Sequence, residues 1–177
     1  MEVLNAIENR RSIRAYSDAP VPKDQLVRFL EAIRLAPSWK DKQCCNVIVL
    51  SDREQIRKLG ELLNGNPGRA VFETVPYFIV VTADPAKSGV RDDKPYYMTD
   101  AGIALENGVL AAVEMGLGTC FIGAFTEGPI KEFLGIPDAL HIVALTPLGV
   151  PAEEPAARPR KPLGELAFDG AWGVPFA

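Results

Sequence analysis

The chain has one histidine, His141, in 177 residues, so chemistry that turns on paired imidazoles or a Cys/His metal cluster has almost no material to work with. A catalytic triad would have to use that residue. It stands between Leu140 and Ile142, where a strand side chain needs no special role. Cysteine is scarce too. Cys44, Cys45 and Cys120 are odd in number with two adjacent, which makes no disulfide framework and fits a reducing compartment. Long apolar runs are missing: segments such as 109–113 and 142–145 are far shorter than the roughly 20 residues that cross a bilayer, and the N-terminus reads as an amphipathic segment and not as a signal peptide. The expectation is a cytoplasmic protein with no membrane partner. No Gly-x-Ser-x-Gly elbow, His-Glu-x-x-His pair or Walker A pattern occurs, which argues against a serine hydrolase, a zincin and a nucleoside triphosphatase. Gly116-Leu117-Gly118 looks like the start of a dinucleotide fingerprint. It follows a helix and precedes a strand, the reverse of the required order, so it reads as a helix stop.

What is present is an ordinary globular composition, 47% hydrophobic and 24% charged, with no repeat and no low-complexity tract, long enough for one domain with a full core. The formal net charge is −4, yet Arg10-Arg11-Ser12-Ile13-Arg14 gathers three guanidiniums and a hydroxyl within five residues. A guanidinium offers a planar fork of donors that matches phosphate oxygens two at a time. The competing reading is that Arg10 and Arg11 only offset the dipole at the end of a first helix. A second basic group, Arg158, Arg160 and Lys161, lies in the C-terminal tail. The two groups either close on one dianion or leave the second as a solvated patch.

Residues 2–9 carry Val3, Leu4 and Ile7 at helical spacing, which puts the first Arg cluster at a helix C-terminus. From Lys23, Leu26, Phe29, Leu30 and Ile33 mark a second helix that Pro37 stops. Residues 46–50 read as a strand, Asp52 as the cap of a helix with Ile56, Leu59 and Leu63 on one face, and 77–82 as a central strand. After a charged loop at 84–95, the longest helix starts near Tyr96 and runs through Ile103, Leu110 and Val113, with Ala101, Ala104, Ala111 and Ala112 supplying close-packing surfaces, and is expected to be mostly buried. A third strand is expected at 119–125 with a flexible point at Gly123, a short helix at 130–134 and a fourth strand at 141–146. Prolines recur from Pro147 to Pro175 and leave room for helix only near 163–167. The apolar Trp172, Val174 and Phe176 would then find burial on a neighbouring body, such as a second subunit.

The order of these features resembles the nitroreductase family of flavin enzymes. The carrying motifs are the helix ending in Arg-Arg-Ser-x-Arg, then Ala36-Pro37-Ser38 with Gln43 before the first strand, and Gly116-Leu117-Gly118-Thr119 leading into 121–125. Leu148-Gly149-Val150-Pro151 and the Arg-Pro-Arg-Lys-Pro tail complete the set, so the match spans essentially the whole chain in order. The resemblance implies an α+β fold over 1–177 as a single FMN-binding domain: a mostly antiparallel sheet of about four to five strands wrapped by helices, a domain-exchanged C-terminal tail, and a homodimer sharing two FMN sites. It implies that Arg10, Arg11, Ser12 and Arg14 hold the phosphate and ribityl chain, with Arg160 and either Arg158 or Lys161 nearby. Pro37, Ser38 and Trp39 would reach the flavin of the other subunit, and Gln43 with the backbone of Ile122 and Gly123 would face the ring, an amide N–H lying near N5. Where many members have Asn and then Gln-Pro-Trp, this chain has Asp41, Gln43, Cys44 and Cys45. A carboxylate aimed at the ring would disfavour a reduced anionic flavin, so Asp41 is neutralised by Lys40 or Lys42 or faces away. The two cysteines read as packing residues.

The reading that follows is an FMN-dependent oxidoreductase in which the cofactor does the chemistry and no side chain acts as acid, base or nucleophile. NADH or NADPH would be the transient hydride donor, and a nitroaromatic, quinone or related small molecule the acceptor, by a ping-pong mechanism. One alternative is a flavin-binding or flavin-sequestering protein without turnover. A nucleic-acid binder using both Arg clusters is the other, and the overall acidity and lack of aromatic-basic alternation argue against it.

Overall fold

The computed structural model describes residues 2–176; residues 1 and 177, the ends of the expected 1–177 span, lie outside the described residues. Two helices lead the chain, α1 (Val3–Asn9) and α2 (Lys23–Arg34), followed by a tight helical turn at Trp39–Asp41. Strand β1 (Cys45–Leu50) comes next, then α3 (Arg53–Leu62), α4 (Val71–Thr74) and β2 (Tyr77–Ala83). The charged loop contains a small hairpin of β3 (Val90–Arg91) and β4 (Lys94–Pro95), and runs straight into α5 (Tyr96–Glu114). The chain closes with β5 (Gly118–Thr119), α6 (Glu127–Leu134), β6 (His141–Gly149) and α7 (Leu163–Leu166).

Four strands form one antiparallel sheet in the order β1-β2-β6-β5, which gives the α+β class and puts β2 inside, as its run of apolar residues without polar alternation requires. Both sheet faces are covered. Leu50, Phe78, Val80, Ile142 and Leu145 pack with Ile56, Leu59, Phe72 and Ile130 from α3, α4 and α6. On the other face Ile79, Val81, Ala144 and Leu148 pack with Phe29 and Ile33 of α2 and Leu105 and Val109 of α5. Asp52 accepts a hydrogen bond from the Gln55 N–H at 2.9 Å and starts α3 as a side-chain cap.

Three expectations need correction. The strand expected at 119–125 is paired only at Gly118–Thr119, with Ile122 rejoining Leu145 as an isolated pair. The ladder breaks because the Thr146 hydroxyl, not a backbone carbonyl, takes the Cys120 N–H at 3.0 Å. Helix α5 buries one face only: the expected close-packing Ala101, Ala104 and Ala112 face inward with Leu105, Gly108 and Val109, while Ile103 is exposed and the helix is not mostly buried. Small residues are needed there, since a Cβ on Gly108 would meet Ile33 Cγ1 at 2.8 Å. The stripe on α1 also faces outward, with Val3, Leu4 and Ile7 exposed and only Ala6 buried.

The tail folds on itself. Asp169 N–H donates to the Val174 carbonyl at 2.8 Å and Phe176 N–H to that of Ala167 at 3.0 Å, and the rings of Phe168 and Trp172 lie 4.7 Å apart. Its apolar end stays in solvent, with Trp172 at 90% exposure.

Glu127 ties α6 to the start of β6. Its carboxylate accepts the Ile142 N–H at 3.1 Å and pairs with Lys131 at 3.1 Å and His141 at 3.3 Å. Partial burial works against ionisation, but the Ile142, Lys131 and His141 contacts outweigh it and hold the carboxyl below its usual range. A depressed folded pKa means that this stabilisation is present above the unfolded carboxylate value and disappears as pH falls through the folded one. Glu127→Gln is expected to cost about 1 kcal/mol at neutral pH, given its partial exposure. The cost should shrink as the pH drops below about 4.3. Urea denaturation of both proteins across that window measures it.

Candidate functional site

Residues after α1 leave the helix and lie extended along the sheet edge. Ile13 N–H donates to the Thr119 carbonyl at 2.8 Å, Ser17 N–H to that of Val150 at 3.0 Å, and Ala152 N–H to that of Ala15 at 2.9 Å. Ser12 pairs with Thr119 and Tyr16 with Pro151, so the N-terminal Arg segment sits between β5 and the start of the tail. Ile13 points inward and is buried, which by alternation turns the neighbouring Ser12 and Arg14 side chains away from it, and Tyr16 is buried as well. Burial holds the Tyr16 phenol far above its usual range, with Cys120 and Glu153 adding to the effect and Arg14 opposing it, so the hydroxyl stays protonated and donates to the Ile13 carbonyl at 2.8 Å.

The tail returns past the same segment. Arg10, Arg11, Ser12 and Arg14 line one cavity of about 430 Å3 together with Pro155, Arg158 and Arg160. Lys161 adjoins it in sequence and is exposed, outside the lining. Among the described residues, Glu8 is the one carboxylate on a wall that carries five guanidiniums. These cations are weakly engaged by the protein. Arg10 reaches Glu106 at 4.0 Å, Arg11 and Arg14 turn onto backbone carbonyls, Arg160 lies 3.4 Å and 3.5 Å from carbonyls of its own segment, and Arg158 has no partner among the described residues. A surplus of forked, cationic donors with a neighbouring hydroxyl is the donor set that a phosphate monoester requires.

Glu153 explains how a carboxylate can sit beside this wall without cancelling it. It accepts the backbone N–H groups of Arg14 and of Ala15, the latter at 3.0 Å, so it is spent on the main chain and pins the tail to the Arg segment. Sequence reasoning missed it. The signal was a carboxylate placed directly between Pro151 and the second basic group.

Pro37, Ser38 and Gln43 lie elsewhere. They line a separate cavity of about 370 Å3 between α2, α5 and β1, together with Cys45 and Asp100. The loop that carries them is tightly organised: Ser38 Oγ accepts the Gln43 N–H at 2.9 Å and Asp41 accepts from the Gln43 amide at 3.0 Å, so Asp41 is engaged within its own loop. Trp39 stacks on Tyr96 at 5.6 Å, with the Lys40 ammonium 4.6 Å over its ring. Asp100, only 3% exposed, anchors the loop by accepting the Trp39 N–H at 2.8 Å. Asp100 was also missed, although a lone carboxylate in the apolar run after Met98 marks it. Ile122 and Gly123 are outside both linings. The Ile122 N–H is committed to the Leu145 carbonyl at 2.8 Å, whereas that of Gly123 has no internal acceptor among the described residues.

Fold and site together define an α+β protein with a guanidinium-lined cleft beside the β5 edge of its sheet. The profile described as Nitroreductase family matches residues 7–70 and 64–150. An FMN reductase (NAD(P)H) of Bacillus subtilis strain 168 is 34% identical over 91% of this chain and 70% of its own length. The solved structure of a nitroreductase family protein from Clostridium novyi NT is 37% identical, covers 99% of this chain and 97% of its own, and superposes with a TM-score of 0.79. NADPH:FMN oxidoreductase from Vibrio harveyi, solved with NAD+, is 25% identical over 96% of this chain and 77% of its own, with a TM-score of 0.85. The chain belongs to the nitroreductase family.

The Arg segment is seated by a close approach. A Cβ on Gly118 would meet Ile13 Cγ1 at 2.8 Å and its Cβ at 2.9 Å, while one on Gly123 would meet nothing within 4 Å. Gly118→Ala is therefore expected to destabilise the protein by about 1–3 kcal/mol through overpacking against Ile13. Gly123→Ala should stay close to the parent, and urea denaturation of the pair distinguishes the two.

Proposed function

We propose that this chain is an NAD(P)H-dependent FMN oxidoreductase that reduces a nitroaromatic, quinone or related small acceptor. The observation that carries the reading is the convergence of Arg10, Arg11, Ser12, Arg14, Arg158 and Arg160, from segments more than a hundred residues apart, on one cavity. That donor set fits the phosphate of FMN, and the names of the relatives in Bacillus subtilis and Vibrio harveyi support the same cofactor. When bound, FMN supplies two-electron hydride chemistry at N5.

The chain's own residues bind and orient. Arg10, Arg11, Arg14 and Arg160 neutralise the phosphate with Ser12 as a neutral donor, and Arg158 and Lys161 extend the positive wall. The free Gly123 amide, and not that of Ile122, is the donor available to the ring edge. Since Pro37, Ser38 and Gln43 line a cavity apart from the Arg wall, they and Trp39 serve the site of a second copy in a homodimer, in which the exposed Trp172, Val174 and Phe176 exchange onto the partner. Three free thiols support a reducing, cytoplasmic setting.

Replacing Arg14 or Arg160 by Ala removes a charge-assisted hydrogen bond of about 1.5–3 kcal/mol and is expected to weaken FMN about 10- to 100-fold, read by fluorescence titration of the apoprotein. Flavin held as tightly by both variants as by the parent would overturn the assignment. A second expectation concerns turnover. With no dinucleotide fingerprint in the right context, donor and acceptor use the same exposed face in succession. Initial rates should then give parallel double-reciprocal lines, and NADH or NADPH should bleach the yellow protein with no acceptor present. Intersecting lines would rule out the shared face.

A further inference from the structure

Alternation along an extended chain sends neighbouring side chains to opposite faces, so adjacent cysteines in a strand do not normally meet. Cys44 and Cys45 do meet. Gln43 takes a left-handed φ of 48°, β1 begins only at Cys45, and the two sulfurs finish 3.9 Å apart. That is well beyond the bonded separation of about 2.05 Å in a disulfide, and both thiols are free. Cys44 is fully buried and donates toward Asp100 Oδ2 at 3.5 Å. Cys45 lines the cavity of about 370 Å3, whose wall beside it is largely apolar through Leu30, Ile33, Val47 and Val49.

Two sulfurs at this distance are placed for one soft atom. Bonds of about 2.3 Å meeting at about 100° on a pyramidal trivalent centre hold a pair of sulfurs about 3.5 Å apart, within a small side-chain rotation of the observed 3.9 Å. A divalent metal would need further protein ligands, and among the described residues no group of three His, Cys, Asp or Glu side chains can hold one. A trivalent organoarsenical needs only the two sulfurs, because its own carbon substituent fills the third position. We propose that Cys44 and Cys45 form a dithiol site for trivalent organoarsenicals, the carbon substituent lying in the apolar cavity beside Cys45.

The step is a condensation and not a redox reaction. An oxide R–As=O reacts with two S–H groups; two As–S bonds form, the As=O bond and both S–H bonds break, and one water leaves with arsenic still trivalent. Burial first, and then Cys44 and Asp100, push the Cys45 thiol up to about 12, and burial likewise raises Cys44, so both hold the protons that the condensation consumes while resisting oxidation through thiolate. Capture also ends the Cys44 donation to Asp100, whose other donors are the Trp39 N–H at 2.8 Å and the Ser88 hydroxyl at 3.4 Å. The site shares its cavity with the Pro37, Ser38 and Gln43 wall assigned above to a second copy's flavin site, but its readout is mass and needs no flavin, so the two readings fail separately.

The test is phenylarsine oxide, one equivalent per chain, added to the purified full-length protein with excess monothiol present. Intact-mass measurement should show one adduct per chain, equal to phenylarsine oxide less one water, removed by 2,3-dimercaptopropanol and not by the monothiol. Peptide mapping should place it on the segment carrying Cys44 and Cys45. Cys45→Ser, checked for folding by circular dichroism, should lose the adduct, and Cys120→Ser should keep it. No adduct on the parent, an adduct mapped elsewhere, or one that survives in a folded Cys45→Ser protein would overturn the site.

Discussion

Guanidiniums gathered on one wall repel each other, and the protein supplies them with almost no carboxylate to relieve that repulsion. Their positions are therefore fixed by main chain. Ile13 and Ser17 are hydrogen-bonded into the sheet edge through Thr119 and Val150, Tyr16 plugs the core beneath them, and Glu153 holds the amides of Arg14 and Ala15. Backbone hydrogen bonds fix the segment, while its guanidiniums rest on nearby carbonyls and, for Arg10, on a 4.0 Å contact to Glu106. An arrangement set by the fold before any ligand arrives is how a rigid scaffold lowers the ordering cost of binding.

The same economy of side chains governs the layer behind the site. Helix α5 approaches α2 and the sheet through Ala101, Ala104, Gly108 and Ala112, leaving its bulkier Ile103 on the outside. Large apolar side chains of α1, α5 and the tail, among them Val3, Leu4, Ile7, Ile103 and Trp172, lie outside the core.

Much of this was legible in the sequence because it rests on local periodicity. The α2 stripe of Leu26, Phe29 and Ile33, the Asp52 cap and the apolar β2 all formed where spacing indicated. The two Arg groups were legible as candidates because like charges concentrated in an acidic chain break the background. What could not be read depended on partners distant in sequence. The early end of β5 follows from the Thr146 hydroxyl, twenty-six residues away from Cys120. On α5 the alanines at 101, 104 and 112 were legible as close-packing positions, but the exposure of Ile103 follows from how α5 lies against α2, which no local hydropathy pattern encodes. Asp100 and Glu153 earn their roles from the backbone amides they meet at Trp39, Arg14 and Ala15, and a single carboxylate in a sequence does not announce which amide it will find.

The loop between α2 and β1 carries Lys40, Asp41 and Gln43 at φ values of 49°, 54° and 48°, three left-handed non-glycine residues in four positions. Such backbone costs of order 1 kcal/mol per residue and is held in place by the Ser38, Asp100 and Trp39 contacts around it. For the lineage this makes the loop an asymmetric mutational target. Asparagine or glycine can enter at Asp41 with little penalty, so polarity and charge there can drift, whereas valine, isoleucine or threonine at any of the three positions would force the loop open. Divergence within the loop is channelled toward new chemistry on an unchanged path of the main chain.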